Sequence, residues 1–232
     1  MKHKAIGIIP ARGGSKRIPN KNIIDLAGKP LIAYSIFSAK RSKFLTDRIF
    51  VSTEDKKIAK TAQRYKAQVI DRPKELATDK SETLPVLKHA VAALEKNGLD
   101  FDTVVLLQPT SPFRKAETID LGIKRLWDNW NKLGAIFSVR QTKFPPKWLL
   151  EIASDKLKFI FPNNFKQIRG QDLEKTYEID GCLYVFKKDS LKRAKNYPFF
   201  KNKTGYIIPS KIESIDIDDM EDLEIARKLL SK

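Results

Sequence analysis

Short apolar runs and helical patterns take turns along the first 140 residues, and this alternation limits the fold more than any other feature of the sequence. Ala5–Pro10 reads as a buried strand. Pro30 opens a helix, "PLIAYSIFSAKRS", with Leu31, Tyr34, Ser35 and Ser38 near one face. Arg48–Thr53 is a second strand, Asp55–Lys66 a second helix and "AQVID" a third strand. Thr83–Asn97 carries a stripe of Leu84, Leu87, Val91 and Leu94 and is closed by Gly98. Asp102–Gln108 is continuously apolar, as a strand covered on both faces must be. A helix over Ala116–Asn129 and a strand over Gly134–Arg140 follow. Alternation at this spacing implies a doubly wound α/β sheet, mostly parallel, with right-handed crossovers. Ligands of such sheets sit beyond the carboxyl ends of the strands, which would gather the loops Arg12–Asn22, Asp71–Thr83 and Pro109–Arg114.

The helical pattern lapses from Lys143 to Phe165, where a β-rich arm, placed at about 141–175, is expected to leave the sheet. "GCLYVF" and "SIDI" read as returning strands, and "DDMEDLEIARKLLS" as a closing helix. No repeat or low-complexity linker divides the chain, so residues 1–232 are read as one domain with the arm inserted.

Charge adds a second constraint. Lys and Arg number 45 against 28 Asp and Glu, a net +17 that attracts nucleic acid, anionic membrane or nucleotide phosphates alike. The basic residues are scattered, without the aromatic interleaving of a nucleic-acid binder. The lone cysteine, Cys182, excludes an internal disulfide and fits a reducing cytoplasm. The first apolar run is too short for a signal-peptide core, and none nears the roughly 18 apolar residues of a membrane helix. A cytoplasmic protein is expected.

The densest chemistry follows the first strand. "AIGIIPARGGSKRIPNKNI" sets Arg12, Lys16, Arg17 and Lys21 around Gly13 and Gly14. It has neither the spacing of a P-loop nor the G-x-G-x-x-G of a dinucleotide site. Adjacent glycines let backbone N–H groups converge on an anion, Ser15 adds a hydroxyl, and the cations can neutralise more charge than one phosphate carries. A triphosphate is the natural guest; a basic surface turn is the alternative.

"IIPARGGSKRIPNKNI" resembles the signature of the CMP-sugar synthetases, the acylneuraminate cytidylyltransferase family. The resemblance continues in order through "DLAGKPLIAYSI", "VSTED", "DRPKELATDKSET", "LLQPTSPFR", "YEIDGCLYVF" and "SIDIDDMEDLEIA". It implies a Rossmann-like nucleotidyltransferase fold and a reaction in which the 2-hydroxyl of a 2-keto-3-deoxy sugar acid attacks the α-phosphate of CTP, releasing pyrophosphate. It further implies that Arg12, Ser15 and Lys16 hold the β- and γ-phosphates, that Lys21 meets charge developing at the α-phosphate, and that Asn22 reads the nucleotide. Arg17 is better explained as a solvated arginine. Arg72 matches a nucleotide contact, or is a surface arginine before Pro73. Ser81 and Thr83 match positions reading the cytosine edge, or cap the helix at Leu84. Gln108 and Ser111 point into the crevice, with Gln108 on the sugar acid. Arg169 faces the sugar carboxylate, and Tyr184, Phe199 and Phe200 form an aromatic wall or are simply core or dimer-contact residues. Relatives are homodimers through the arm, and "PPKWLLEI", with Trp148 and Leu149, offers such a contact.

Asp216 and Asp218, two apart, share one face if "SIDI" is a strand. Two carboxylates on one face call for a cation between them, and Mg²⁺ bridging to triphosphate oxygens supplies it. Helix capping competes. Asp219 is assigned the cap, although Asp218, with Glu221 three residues on, has the usual box spacing, and Asp218 could instead orient the attacking hydroxyl. His3 and His89 receive no role. Among nine-carbon acids, "ARGGSKRIPNKNI" leans toward pseudaminic acid, whereas "YEIDGCLYVF", nearer the sugar, leans toward N-acetylneuraminic or legionaminic acid and is given the greater weight.

Overall fold

A computed structural model describes residues 3–144, 146–161, 175–195 and 203–231. β1 (Ala5–Pro10) leads through a tight hairpin, β2 (Asp25–Leu26) and β3 (Lys29–Pro30), into α1 (Leu31–Arg41). β4 (Ile49–Thr53), α2 (Lys56–Arg64), β5 (Gln68–Asp71), α3 (Thr83–Lys96), β6 (Thr103–Leu106), α4 (Ala116–Asp128) and β7 (Ala135–Gln141) continue the alternation. β8 (Leu150–Ala153) and β9 (Lys156–Phe159) form a separate hairpin, followed by β10 (Tyr177–Lys187), α5 (Lys188–Arg193), β11 (Thr204–Ile207) and α6 (Met220–Leu230).

The main sheet has seven strands in the order β11-β7-β10-β6-β1-β4-β5. β1 pairs in parallel with β4 and β6, β4 with β5, and β7 with β11. β10 alone runs against its neighbours β6 and β7. The chain winds outward from β1 to β4 and β5, then crosses back to β6 on the other side of β1. The loops after β1 and β6 therefore part from each other, which opens a crevice at that switch point.

Helices cover both faces because the strand residues alternate. Ile9, Val51, Val105, Leu107, Ile136, Leu183 and Val185 pack with Ile32 and Ile36 of α1, Ile58 of α2 and Ile119, Ile123 and Leu126 of α4. Ile6, Ile8, Phe50, Val104, Leu106, Phe137 and Phe186 meet Leu84, Leu87, Val91 and Leu94 of α3 and Leu191 of α5 on the opposite face. The helical stripe read from Thr83 onward is the stripe that is buried.

Three features depart from the sequence reading. Residues 215–218 form no strand; Ile217 N–H donates to the Thr110 carbonyl at 2.8 Å, yet the in–out alternation persists, with Ile217 fully buried between a half-buried Asp216 and an exposed Asp218. The edge strand β11 lies in "TGYI", too short and too polar to stand out by periodicity. Within β10 the register slips between Ile179 and Tyr184. That irregularity shapes the site. Within the stretch assigned to the arm, β8–β9 form a hairpin whose Leu150, Ile152 and Leu157 are exposed. Among the described residues no helix is long and apolar enough to cross a membrane.

Candidate active site

The loop after β1 is fixed at three points. Ile18 is buried with Leu26, Leu31, Leu223 and Ala226 in a small apolar cluster under α6. Asn22 is buried, and its Nδ2 donates to the Arg12 carbonyl at 2.9 Å. Gly13 N–H donates to Glu54 Oε1 at 2.7 Å. A Cβ on Gly13 would lie 2.6 Å from Asp55 Oδ2, and Asp55 is committed to capping α2 through Lys57 N–H and Ile58 N–H. Gly13 is thus required by close approach, whereas Gly14 faces open space. The two glycines differ: Gly13 packs against Asp55, whereas a side chain at Gly14 would meet nothing.

The loop's cations are drawn together by carboxylates. Arg12 Nη1 lies 2.7 Å from Asp79 Oδ1, and Lys16 Nζ 2.5 Å from Asp79 Oδ2. Lys16 and then Arg12 hold the Asp79 carboxyl below the usual range, so it is ionised at neutral pH. Lys21, nearly enclosed, places Nζ 3.4 Å from Asp218 Oδ1, and Arg17 reaches the other oxygen only at 4.0 Å. The arrangement is a cationic cradle balanced by the chain's own acids.

Asp216 and Asp218 face this cradle for a definite reason. Ile217 between them belongs to the same apolar cluster as Ile18, so one packing unit sets both the loop and the acid pair. Asp216 Oδ1 is buried without a hydrogen-bond partner. Burial pushes the Asp216 carboxyl up; a hydrogen bond from Thr110 and the nearby Lys21 act against this, and Asp218 and Asp222 add to it. An orphaned carboxylate oxygen beside a second carboxylate suits a divalent cation. No group of three or more His, Cys, Asp or Glu occurs among the described residues, so such an ion would need phosphate or water oxygens as well. Asp219 is the cap of α6, with its side chain accepting from Asp222 N–H at 3.0 Å and Asp222 returning the contact as a capping box. A shorter Asp in place of Glu completes the box, which leaves Asp218 uninvolved as cap.

β10 supplies the other wall. Gly181 adopts φ +76°, and a Cβ there would lie 3.0 Å from Gln108 Oε1 and 3.9 Å from Asp216 Oδ2. A side chain would both strain the backbone and crowd the two polar groups. The slipped register leaves amides to be satisfied, and buried side chains do so: Asp180 Oδ1 accepts from Cys182 N–H at 3.0 Å, and Ser138 Oγ from Leu183 N–H at 2.7 Å. Ser138 also donates to Asp180, whose second oxygen accepts from Ser214 Oγ at 2.7 Å. The bulge is thereby tied to the segment bearing Asp216.

The remaining sequence expectations divide. Arg72 is buried rather than a surface arginine; Nε meets Ser52 Oγ at 3.2 Å and Nη2 the Ser52 carbonyl at 2.5 Å. Burial lowers its pKa, against a raising effect of Glu54. Ser81 Oγ accepts from Thr78 N–H and meets the Glu75 carbonyl, bracing its own turn, while α3 starts at Thr83 after Glu82 with no side-chain cap. Neither residue therefore caps α3 as the competing reading held. Gln108 is half-buried at the crevice, and Ser111 is buried with its hydroxyl directed at the Gly181 carbonyl at 3.4 Å, so that it braces β10. Of the two readings of Tyr184, its surroundings favour the core one: it is 4% exposed, edge-on to Phe137 and stacked with Phe186. Ser15 lies in the loop with its N–H on the Gly13 carbonyl. Arg169, Phe199 and Phe200 lie outside the described residues.

Four acids and an arginine escaped the sequence reading. Glu54, Asp79, Asp180 and Glu213 are acids whose partners are remote in sequence. Burial acts to raise Glu213, but hydrogen bonds from Thr118, Ser210 and the Lys115 amide outweigh it and leave the carboxyl below its ordinary range. Arg114 is fully enclosed, donating to the Cys182 carbonyl, to Ser35 Oγ at 3.2 Å and to the Gln108 carbonyl at 2.8 Å. Its guanidinium loses stability as a cation by burial, partly restored by Cys182, Asp216 and Asp180. Cys182 itself is pushed up to about 12, chiefly by burial, and stays a thiol. The available signal was a charged residue flanking an apolar run, Arg114 after "VVLLQPTSPF" and Asp180 before "GCLYVF".

Residues 6–224 match the family model described as cytidylyltransferase. The chain is 36% identical to the CMP-N,N'-diacetyllegionaminic acid synthase of Legionella pneumophila, covering 98% of this chain and 96% of that one. It is 32% identical to a pseudaminic acid cytidylyltransferase of Campylobacter jejuni, covering 97% and 96%. It is also 32% identical to the N-acylneuraminate cytidylyltransferase of Escherichia coli, where all of this chain spans 53% of the relative's length. A CMP-2-keto-3-deoxy-manno-octonic acid synthetase solved with CTP shares the fold at a TM-score of 0.71 and 18% identity, covering 98% of each chain. The alternating sheet, the cationic loop after its first strand and a family match over nearly the full length agree, and the chain belongs to the cytidylyltransferase family of nucleotidyltransferases.

Proposed function

We propose that this protein transfers CMP from CTP to a nine-carbon 2-keto-3-deoxy sugar acid, N-acetylneuraminic or legionaminic acid, releasing pyrophosphate. The observation that carries the reading is the cradle of Arg12, Lys16 and Lys21 opposite Asp216 and Asp218 at the switch point of the sheet. In this reading Arg12, Ser15 and Lys16 hold the β- and γ-phosphates, and Lys21 stabilises charge at the α-phosphate. No covalent intermediate is required, so catalysis rests on positioning and on preorganised charge. Asp216 and Asp218 would hold a magnesium ion, which supplies charge neutralisation along the triphosphate when bound. Asn22 keeps the loop closed, and Arg72, Ser81 and Thr83 line the nucleotide side; Gln108, with Arg169, Phe199 and Phe200, is assigned to the sugar acid.

The choice of sugar acid draws support from the higher identity to the legionaminic acid synthase than to the pseudaminic acid enzyme. Turnover with CTP and each of the three purified nine-carbon acids, side by side, tests it. N-acetylneuraminic or legionaminic acid is expected to be the best substrate, and faster turnover of pseudaminic acid would transfer the assignment to the second reading.

Two further outcomes belong here. Asp216→Asn and Asp218→Asn should each shift the magnesium titration of activity to higher concentration, because each removes an anionic ligand. Unchanged titrations in both variants would exclude the metal role. The exposed Ile152, at 82%, and Leu157, at 67%, on β8–β9 support a homodimer joined through the arm. Light scattering at micromolar concentration should give twice the 26.6 kDa chain mass. The reduced, buried Cys182 is consistent with a cytoplasmic setting.

A further inference from the structure

The phosphate cradle is not empty of negative charge. Asp79 sits on the turn between β5 and α3, remote in sequence from the loop after β1, and bridges two of its cations. One carboxylate oxygen is 2.7 Å from Arg12 Nη1 and the other 2.5 Å from Lys16 Nζ. These are the two cations among the side chains assigned above to the β- and γ-phosphates, and a carboxylate bridging them occupies them much as a phosphate's paired oxygens would.

The other acid in the loop behaves differently. Glu54 is half-buried, takes the Gly13 amide, and keeps its second oxygen enclosed beside Arg72. Its contact is part of the packing beneath the loop. Asp79 is 39% exposed, Lys16 78% and Arg12 31%, so water reaches both pairings and can replace them at modest cost. A contact that links two loops across the mouth of the crevice, between exposed groups, is built to be exchanged.

We propose that Asp79 is an internal counter-ion that the β- and γ-phosphates displace from Arg12 and Lys16, so that it limits triphosphate affinity and favours departure of pyrophosphate. The inference rests on the placement of the triphosphate given above. Displacement means that each incoming phosphate oxygen gains a cation only as Asp79 gives one up, and that Asp79 left nearby repels the bound polyphosphate. CMP, lacking both phosphates, does not compete with Asp79 at all. A counter-ion role and a scaffolding role therefore predict opposite signs. If Asp79 merely holds Arg12 and Lys16 in position, its loss scatters them and weakens binding of the triphosphate.

The test is calorimetric titration of CTP, pyrophosphate and CMP into the full chain without sugar acid, at fixed magnesium, for wild type, Asp79→Asn, Asp79→Ser and Arg12→Ala. Both Asp79 variants are expected to bind CTP and pyrophosphate about 2- to 10-fold more tightly, the range in which exposed ion pairs act, with CMP unchanged. CMP affinity also reports that the variants are folded. Weaker or unaltered CTP and pyrophosphate binding in the Asp79 variants, with Arg12→Ala weakening both, would overturn the counter-ion role and leave the triphosphate placement standing. No effect of Arg12→Ala on either ligand would remove the placement itself, and the inference with it.

Discussion

Lys21→Ala should lower kcat at saturating CTP by roughly 2–4 kcal/mol of transition-state stabilisation, the range measured for a preorganised donor at a developing charge. Three features of the site put the weight on this lysine and not on its neighbours. Lys21 is 13% exposed, against 78% for Lys16 and 73% for Arg17, so its charge acts in a drier environment. Its partner, Asp218, is one of the two carboxylates that face the cradle, which places the ammonium between the acid pair and the loop. It also follows Asn20 in the left-handed region at φ 53° and opens the short helical turn Lys21–Ile23, anchored just upstream by the buried Ile18. A fixed backbone with a nearly enclosed side chain costs little reorganisation in the transition state. Arg12→Ala, by contrast, removes a charge from the ground-state cradle and should act mainly on KM. Steady-state rates with CTP saturating separate the two. A Lys21→Ala enzyme that keeps near wild-type kcat would withdraw the lysine from the chemistry.

The fold was legible because its main signal is local. A strand buried on both faces must be apolar at successive positions, and a helix lying over it must carry a stripe, so β1, β4, β6 and α3 announce themselves within a few residues each. β11 does not, because an edge strand gains its stability from pairing with β7, which sequence does not display. The site divides in the same way. Arg12, Lys16 and Lys21 cluster in one loop and could be read together. Asp79, Asp180 and Glu213 act on residues 67, 42 and 34, and 98 and 95 positions away, respectively, and no spacing rule joins them. The two readings of Tyr184 stayed open for a related reason: in "GCLYVF" alternate residues face opposite sides of the sheet, and only the observed pairing opposite Leu106 and Phe137 tells which side is core. The pair at Asp216 and Asp218 was read on the premise of a strand. The strand is absent, but burial of Ile217 enforces the same alternation by packing instead of by a ladder.

Arg114→Met is expected to destabilise the fold by about 3 kcal/mol, and to impair turnover in whatever fraction remains folded. The guanidinium is fully enclosed and donates to two main-chain carbonyls, of Cys182 in β10 and of Gln108 just beyond β6, and to Ser35 of α1. Methionine approximates its length but offers no donor. Each buried acceptor left without a partner costs about 1–3 kcal/mol, and the removal of a desolvated cation offsets part of that sum. The site suffers as well, because the Gln108 carbonyl that Arg114 grips belongs to the residue whose Oε1 faces Gly181 and, beyond it, Asp216. Arg114 touches no substrate in this reading; it positions the residues that do. Arg114→Lys separates the two effects. An ammonium keeps the positive charge near Asp180 and Asp216 but has no planar fork to reach three acceptors on three different elements. Stability is therefore expected to recover partly, measured as the denaturant midpoint, while KM for the sugar acid stays raised and KM for CTP stays near wild type. Full recovery of both by lysine would show that Arg114 contributes charge alone, and an undisturbed midpoint in the methionine variant would show that the three contacts carry little of the fold.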